Sequence, residues 1–530
     1  MSDQNHPPTP NHPGGPQQNL WPQQGQPQYQ HGYQHGYPPP GPYEQMHFGG
    51  QPPQGPPPPK KRGKLIPIVA ALAMVLVVAG GGIFAYGKLA GGKQPSDVLP
   101  GTAVAYARLD LNPSAGQKVA AIRFLMKFPS VKDKLGLTGD KDDLRQKLFE
   151  QIKKSSGSDL ADVDYAKDIK PWLGERAGIA ALPPTDGKTK PTVVVAVQVK
   201  DQDAANKGLD KLMANEDHKP GRAFSNGYVL LGDDQATVDS AVAGGKDSPL
   251  TKNAKFSRDM DKAGDQGFLS AWADLKAVAS MSRTVDSGKL SGLGEATMAA
   301  VLRFDASHVE LKGFVHSDQK VRITTADAGD VISKLPDSTA GAIAVSGGDT
   351  MIDNLWKSSG GTLKSLTDQF AEEAGLTLPD DLKSLLGKNL AVSVDKDAAH
   401  GPKVAARIQT DPAKAAPVVE KLTALLHRRT PANVPIETAK NDDTLVVATS
   451  KEYAEQVLQG GNLGRSDSFK QALPDTKGAV IIGFVDFESL GSLSRQFSSE
   501  KDLAALKSAG IVARSTGEGE AEFGLRLVAK

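Results

Sequence analysis

The sequence contains no cysteine among its 530 residues. This absence excludes disulfides, thiolate metal sites, a cysteine nucleophile and lipid attachment through cysteine. An excess of charge is also lacking, because 62 Lys and Arg stand against 61 Asp and Glu. Residues 65–530 contain 58 of the basic and 59 of the acidic residues, and no block of basic residues occurs among them. The chain therefore offers no electrostatic reason to expect nucleic acid as a partner.

One stretch has no charged residue at all. Between Lys64 and Lys88 the sequence reads LIPIVAALAMVLVVAGGGIFAYG. At about 1.5 Å per helical residue this run reaches roughly 34 Å, enough to cross a hydrocarbon core of about 30 Å. We predict one transmembrane helix at residues 65–87 and a linker at 88–95. The alternatives are a buried core helix and a cleaved signal peptide, whose apolar core is normally shorter and closer to the start of the chain.

The flanking charges predict the orientation of this helix. Lys60, Lys61, Arg62 and Lys64 precede it, and Lys88 and Lys93 follow it. Because excess Lys and Arg stay in the cytoplasm, we expect a single-pass cell-membrane protein with a cytoplasmic N-terminus and an extracytoplasmic C-terminal part. The lipid bilayer is then its first partner.

Residues 1–64 are dominated by Pro, Gln, Gly, His and Tyr and end in the basic cluster. Such a proline-rich segment has too few aliphatic side chains to offset the entropy of ordering, so it is predicted to be a disordered cytoplasmic tail. It would serve as a docking site for aromatic-lined grooves or as a plain spacer.

The remainder of the chain repeats its own pattern at offsets of roughly 210 to 235 residues. The matching pairs occur in the same order in both halves. They include Leu99–Ala105 with Leu335–Ile343, Trp172–Ala180 with Leu385–Ser393, Val193–Leu212 with Lys403–Leu422, Gly227–Gly232 with Asp443–Ala448, Gly267–Asp274 with Gly478–Asp486, and Val309–Val315 with Ala521–Val528. We predict a first repeat at 96–330 and a second at 331–530.

Apolar spacing predicts the fold class. The strands near 308–315 and 520–528 alternate as half-buried antiparallel strands do. Leu144, Leu148, Phe149 and Ile152 have the spacing of a packed helical face. The predicted class is α+β: a duplicated unit of mainly antiparallel sheet with helices on one face, preceded by one transmembrane helix and a disordered tail.

Motifs for chemistry are scarce. There is no G-x-S-x-G elbow, and the outer part holds His218, His308, His316, His400 and His427 as possible bases. Gly187-Lys188-Thr189 lacks the spacing of a phosphate-binding loop, and the paired aspartates at 142–143, 233–234, 380–381 and 442–443 lack that of a calcium loop. We therefore assign no catalytic, cofactor-binding or metal-binding residue.

Two segments resemble a known family. Residues 99–111, LPGTAVAYARLDL, and residues 168–176, DIKPWLGER, are similar to recurring patterns of the DUF3352 family of uncharacterised bacterial envelope proteins. The resemblance implies a location and a fold more than an activity, and it supplies no catalytic residues. Pro171-Trp172-Leu173-Gly174 is interpreted as a structural turn, with ligand stacking on Trp172 as the alternative.

The sequence thus favours a membrane-anchored, non-enzymatic protein whose outer module binds or scaffolds an envelope protein or polymer. Two alternatives stay open. One is an envelope hydrolase with dispersed catalytic residues, and the other is a carrier of lipid or glycopolymer in a cleft between the repeats.

Overall fold

The computed structural model describes residues 93–156, 160–184, 191–214, 219–281, 294–319, 327–358, 362–397, 399, 401–429, 435–493 and 500–530. The chain divides into two units, 1–59 and 60–530, and all described residues lie in the second. The predicted tail, transmembrane helix and first part of the linker lie outside them. Within the described ranges, no helix has both the length and the apolar character needed to cross a bilayer.

The described residues form an α+β structure around one large antiparallel sheet of 16 strands. The strands are β1 Ala105–Asp110, β2 Leu173–Leu182, β3 Thr192–Val199, β4 Gly221–Ser225, β5 Tyr228–Gly232, β6 Leu269–Asp274, β7 Ala296–Phe304, β8 His308–Ser317, β9 Thr339–Ser346, β10 Asn389–Asp395, β11 Val404–Gln409, β12 Glu437–Lys440, β13 Thr444–Ala448, β14 Ala479–Asp486, β15 Leu506–Gly517 and β16 Glu520–Ala529. The strands predicted near 267–274, 309–315, 478–486 and 521–528 are therefore present.

The two halves of the sheet have the same strand order. Across the sheet the order is β12-β13-β11-β10-β9-β14-β15-β16 and then β8-β7-β6-β1-β2-β3-β5-β4. The eight strands of each half can be numbered 1 to 8 in chain order. Read outward from the centre of the sheet, both halves then have the order 8-7-6-1-2-3-5-4. The halves meet where β8 pairs with β16, and we call this pair the seam. The sheet is continuous across the seam, where separate sheets were expected.

Helices connect the strands. They are α1 Ala115–Met126, α2 Pro129–Leu135, α3 Leu144–Ser155, α4 Gln202–Leu212, α5 Gln235–Asp247, α6 Ala254–Ala263, α7 Leu275–Ser280, α8 Ala328–Ser333, α9 Gly348–Ser358, α10 Thr362–Ala374, α11 Asp380–Leu386, α12 Pro412–Arg429, α13 Lys451–Gln459, α14 Asp467–Ala472, α15 Phe487–Leu493 and α16 Lys501–Ala504. Shorter helical turns lie at Pro95–Asp97, Tyr165–Ile169, Leu250–Lys252 and Leu463–Arg465.

Both faces of the sheet carry helices, so the prediction of helices on one face is wrong. On β3, Val194 and Ala196 pack with α5 and α6, whereas Val195 and Val197 pack with α3 and α4 on the opposite face. Neighbouring residues on a strand point to opposite faces, and here both sets are apolar and buried. The first half is therefore a three-layer structure, because its strands are apolar on both sides.

The paired aspartates begin helices and close turns. Asp143 accepts the backbone N–H of Arg145 at the start of α3 at 3.1 Å, and Asp234 accepts that of Thr237 at the start of α5 at 2.7 Å. Asp142 and Asp381 accept backbone N–H groups of the loops before them. These carboxylates satisfy backbone donors that a helix start or turn leaves open, so local structure accounts for them.

Candidate functional site

The face of the sheet that carries α1 to α4 is uncharged over most of its width, and we call it the uncharged face. Two rows of directly opposed residues cross its middle, each with one residue from nine adjacent strands. The first row contains Leu109, Leu269, Leu302, Leu311, Leu525, Ile511, Gly483, Ile343 and Val392. The second contains Ala107, Ala271, Ala300, Gly313, Phe523, Ala513, Ile481, Val345 and Leu390. Every one of these positions is apolar or glycine.

Helices cover the two sides of this face, and α15 contacts β9, β14 and β15 at the end of β14, but part of the centre stays exposed. At one side, α1, α2 and α3 pack on residues of β7 and β8, and α3 and α4 pack on β3 and β5. At the other side, α12 packs on Leu445 and Val447 of β13. Between them, Ile343, Ile511 and Leu525 are 45%, 42% and 42% exposed.

The seam inverts the usual distribution of polar and apolar side chains. Glu310 and Arg526 lie directly opposite each other on the other face and form an ion pair of 2.7 Å, although they are only 17% and 19% exposed. Lys312 and Glu522 form a second pair there at 3.3 Å. At this point of the seam the charged pair is thus better covered than Leu525 on the apolar side, whereas Val309 near one end of that side is buried. An antiparallel sheet with one solvated face normally shows the opposite arrangement.

Glycine allows the open row to pack closely. Gly483 of β14 lies between Ile343 and Ile511, and a Cβ atom built on it would lie 2.9 Å from Cγ1 of Ile511. The Ile511 side chain therefore lies across the glycine, and a larger residue at 483 would displace it.

A cavity continues the first row beneath the helices. It measures about 70 Å³ and is lined by Leu109, Leu269 and Leu302 of the row, by Phe268 and Phe304, and by apolar residues of α1 to α3. Among the described residues that line it, Lys147 of α3 is the only charged one. Leu302 pairs directly with Leu311, and Leu311 with the exposed Leu525. The cavity thus lies at the covered end of the open row.

The opposite face of the first half buries an ionic cluster. Asp110 Oδ2 accepts hydrogen bonds from Arg108 at 2.5 Å and from Arg176 at 2.9 Å, and the three side chains are 5% (Arg108), 1% (Asp110) and 7% (Arg176) exposed. Nearby, the Tyr228 hydroxyl donates to the carbonyl of Lys93 at 2.7 Å. Burial is the main cause that raises the pKa of Tyr228, so this hydroxyl stays a donor.

This cluster also holds the segment that enters the sheet. Arg108 Nε donates to Gln94 Oε1 at 2.8 Å. Pro95 and Ser96 are buried, and Pro95 lies so close to Gly178 that a Cβ there would be 2.4 Å from Pro95 Cβ. Residues 93–97 are therefore integrated into the first half.

The second half has polar cavities instead. One of them measures about 720 Å³ at the ends of β10 and β11 and is lined by acidic and basic residues, including Asp349, Lys383, Lys388 and Asp411. Lys383 is already paired with Asp353 at 3.0 Å. Throughout the described ranges, no group of three or more His, Asp or Glu side chains is placed to hold a metal ion. This groove has mixed charge and no arrangement specific for one chemistry.

The residues singled out in the sequence do not converge on a reaction centre. Trp172 is 4% exposed and its Nε1 donates to the Asp168 carbonyl at 2.7 Å, so it is part of the core, as the structural-turn interpretation predicts. His308 contacts Ser307 Oγ at 3.1 Å, but that hydroxyl donates to Asp305 at 2.8 Å. Burial, with the nearby Arg526, lowers the pKa of His308. Neither Ser307 nor His308 lines the cavities above, His316 lies at the seam beside Glu520, and His218, His400 and Gly187–Thr189 lie outside the described residues.

Sequence reasoning missed the uncharged face. The alternation in β8 and β16 predicts two different faces, but it does not indicate which part of the apolar face stays exposed. Strands such as Ala479–Asp486 and Thr339–Ser346 are apolar at nearly every position. That pattern indicates strands that are apolar on both faces, and such strands need a packing partner on each side.

Comparisons with known proteins give one match. No curated protein and no solved structure matches the chain. Residues 68–225 match the family model described as "Protein of unknown function (DUF3352)". Both motifs that suggested this family, at 99–111 and 168–176, lie inside the matched range, so the resemblance is confirmed. The similarity to DUF3352 thus extends from residue 68 to the end of β4.

Proposed function

We propose that this protein is a membrane-attached, non-enzymatic binding module that holds the acyl chain of a lipid on the uncharged face of its sheet. The observation that carries the proposal is the inverted seam, where Leu525 is 42% exposed while the Glu310–Arg526 pair on the other face is largely covered. Exposed contiguous apolar surface in a soluble-type domain is usually a binding surface. A lipid chain suits a row of side chains that offers no hydrogen-bonding partner.

The helices beside the open row favour a narrow ligand over a second protein. The exposed residues lie between α1–α3 on one side and α12 on the other, all packed on the same face. A flat protein surface would meet these helices first, whereas an acyl chain can lie between them.

We also propose that residues 96–330 and 331–530 are copies of one unit. The identical strand order in the two halves supports this. So does a repeated clamp: Asp168 pairs with Lys211 at 2.6 Å, and Asp381 pairs with Lys421 at 3.3 Å. In each half the aspartate also accepts the backbone N–H of the residue four positions earlier.

We propose the membrane location from the uncharged run at 65–87 and the charges beside it. The family match covers residues 68–87 as well as the first strands, so the run belongs to the same sequence pattern as the sheet. A C-terminal reporter enzyme active only outside the membrane should give full signal. Signal from a C-terminal reporter that is active only in the cytoplasm would contradict this topology.

Lipid binding is tested with the full-length protein in lipid vesicles. A fatty acid carrying a diazirine near its chain end and an alkyne is added, activated by light, and the labelled peptides are identified by mass spectrometry. We expect labelled peptides from 479–486 and 506–529, and we expect the double variant I511N/L525N to lose most of that labelling because it places amides in the open row.

Leu426→Asn is the matched control, since Leu426 is 39% exposed but lies on α12 outside both rows. It should be labelled like the unmodified protein. Labelling confined to residues before 93, or equal labelling of I511N/L525N and the unmodified chain, would overturn the proposal.

A further inference from the structure

The first row and its cavity together define the size and polarity of the ligand. From Leu302 through Leu311, Leu525, Ile511 and Gly483 to Ile343, the row crosses five strand spacings. At about 4.8 Å per spacing this is roughly 24 Å. That is the length of one long, extended acyl chain lying across the strands.

The covered end of the row carries a charged side chain. Lys147 lines the cavity beside Leu302, and its Nζ would lie 3.7 Å from a Cβ built on Gly136, at the C-terminal end of α2. Lysine side chains commonly keep an aliphatic stem on apolar surface while the ammonium reaches water. Lys132 and Lys134 in the last turn of α2 add positive charge to the same region.

Asp142 attracts Lys147 electrostatically, but its oxygens accept hydrogen bonds from other groups. Asp142 accepts the backbone N–H groups of Thr138 and Gly139 and the Thr138 hydroxyl, at 2.6 to 3.1 Å. Within the described part of the chain, Lys147 forms no ion pair within 4.0 Å. Its ammonium therefore has no salt-bridge partner among these residues and lies on a side chain that lines the cavity.

We infer that the ligand is a free fatty acid or similar single-chain carboxylate, whose head group binds Lys147 and whose chain runs through the cavity and along the first row to Ile343. This rests on the proposed function, which it extends from an apolar chain to an anionic single-chain lipid. The cavity of about 70 Å³ admits a few methylene groups and excludes a second chain at that point.

The experiment uses the full-length protein in phosphatidylcholine vesicles with three photoactivatable probes of equal chain length. These are a fatty acid, its methyl ester and a phosphatidic acid. We expect the fatty acid to label 479–486 and 339–346 about tenfold more than the ester does, as the gain of one charge-assisted hydrogen bond predicts. Lys147→Gln should remove this preference while leaving ester labelling and the thermal unfolding temperature unchanged.

Lys154→Gln is the matched control, because Lys154 lies on the same helix, is exposed and does not line the cavity. It should keep the preference. Equal labelling of the row by fatty acid and ester, or a preference that survives Lys147→Gln, overturns the head-group assignment while lipid binding stands. Stronger labelling by phosphatidic acid overturns the single-chain assignment. No labelling of the sheet by any probe overturns both this inference and the proposed function.

Discussion

The two halves of the sheet place different chemistry at the same position. In the first half, Asp110 of β1 lies opposite Arg176 of β2, and Arg108 completes a buried ionic cluster. In the second half, Ser346 of β9 lies opposite Asn389 of β10 and donates to it at 2.6 Å. Strand order shows that β1 and β9, and β2 and β10, hold equivalent places.

The difference follows from what each half must hold. The ionic cluster of the first half holds residues 93–97, which connect the sheet to the preceding chain. At the equivalent place the second half has α8, and Ser346 Oγ accepts the backbone N–H of Asp327 just before that helix at 2.9 Å. A neutral pair suffices there. We interpret the buried charges as fixing where the incoming chain lies, because such groups rarely add net stability.

The largest expected effect comes from removing the carboxylate of the ionic cluster. Asp110→Ala leaves two buried guanidinium groups without their anion, which should cost about 3–5 kcal/mol in the free energy of unfolding. The equivalent change in the second half, Ser346→Ala, removes neutral hydrogen bonds and should cost about 1–2 kcal/mol. Urea unfolding of the full-length protein in mild detergent, followed by the fluorescence of the buried Trp172 and Trp272, measures both.

A triple variant separates charge from position. R108A/D110S/R176N converts the first half to a neutral set like that of the second half, and it should lose less stability than Asp110→Ala alone because no unpaired charge stays buried. If Ser346→Ala were as costly as Asp110→Ala, or the triple variant more costly than either, the comparison between the halves would fail.

The smallest expected effect concerns a feature that the halves share. Asp168→Asn and Asp381→Asn each weaken one clamp, and each should cost no more than about 1 kcal/mol, because the paired lysines are 42% and 40% exposed and water screens the pair. Similar losses in both variants support the copy relationship. Losses that differ by more than twofold contradict it.

The pH dependence of the first clamp has a defined sign. The hydrogen bond from Lys211, together with that from the Asp164 N–H, lowers the pKa of Asp168 below its usual range. The carboxylate therefore stabilises the fold above its unfolded pKa of about 3.9, and this contribution is lost as pH falls through the lower folded pKa. Unfolding temperatures of Asp168→Asn and the unmodified protein should accordingly converge in acid and separate above about pH 4.

Much of the fold followed from local pattern. The matched segments at 99–105 and 335–343 lead into β1 and β9, which hold equivalent places in the sheet. Alternating residues in β8 and β16 and the spacing on α3 also predict their elements, because the period of apolar residues depends on the backbone alone. The predicted transmembrane run and the tail remain predictions, since they lie outside the described residues.

The sequence by itself determined the kinds of elements, their order and the two-face pattern at the seam, because those depend on neighbours along the chain. Tertiary structure decided that β8 pairs with β16 to form one sheet, that helices pack on both faces, and that the apolar side of the seam stays open. Those outcomes depend on which helices reach which face. Residues such as Leu311 and Leu525 lie 214 positions apart, and no local pattern indicates that they meet.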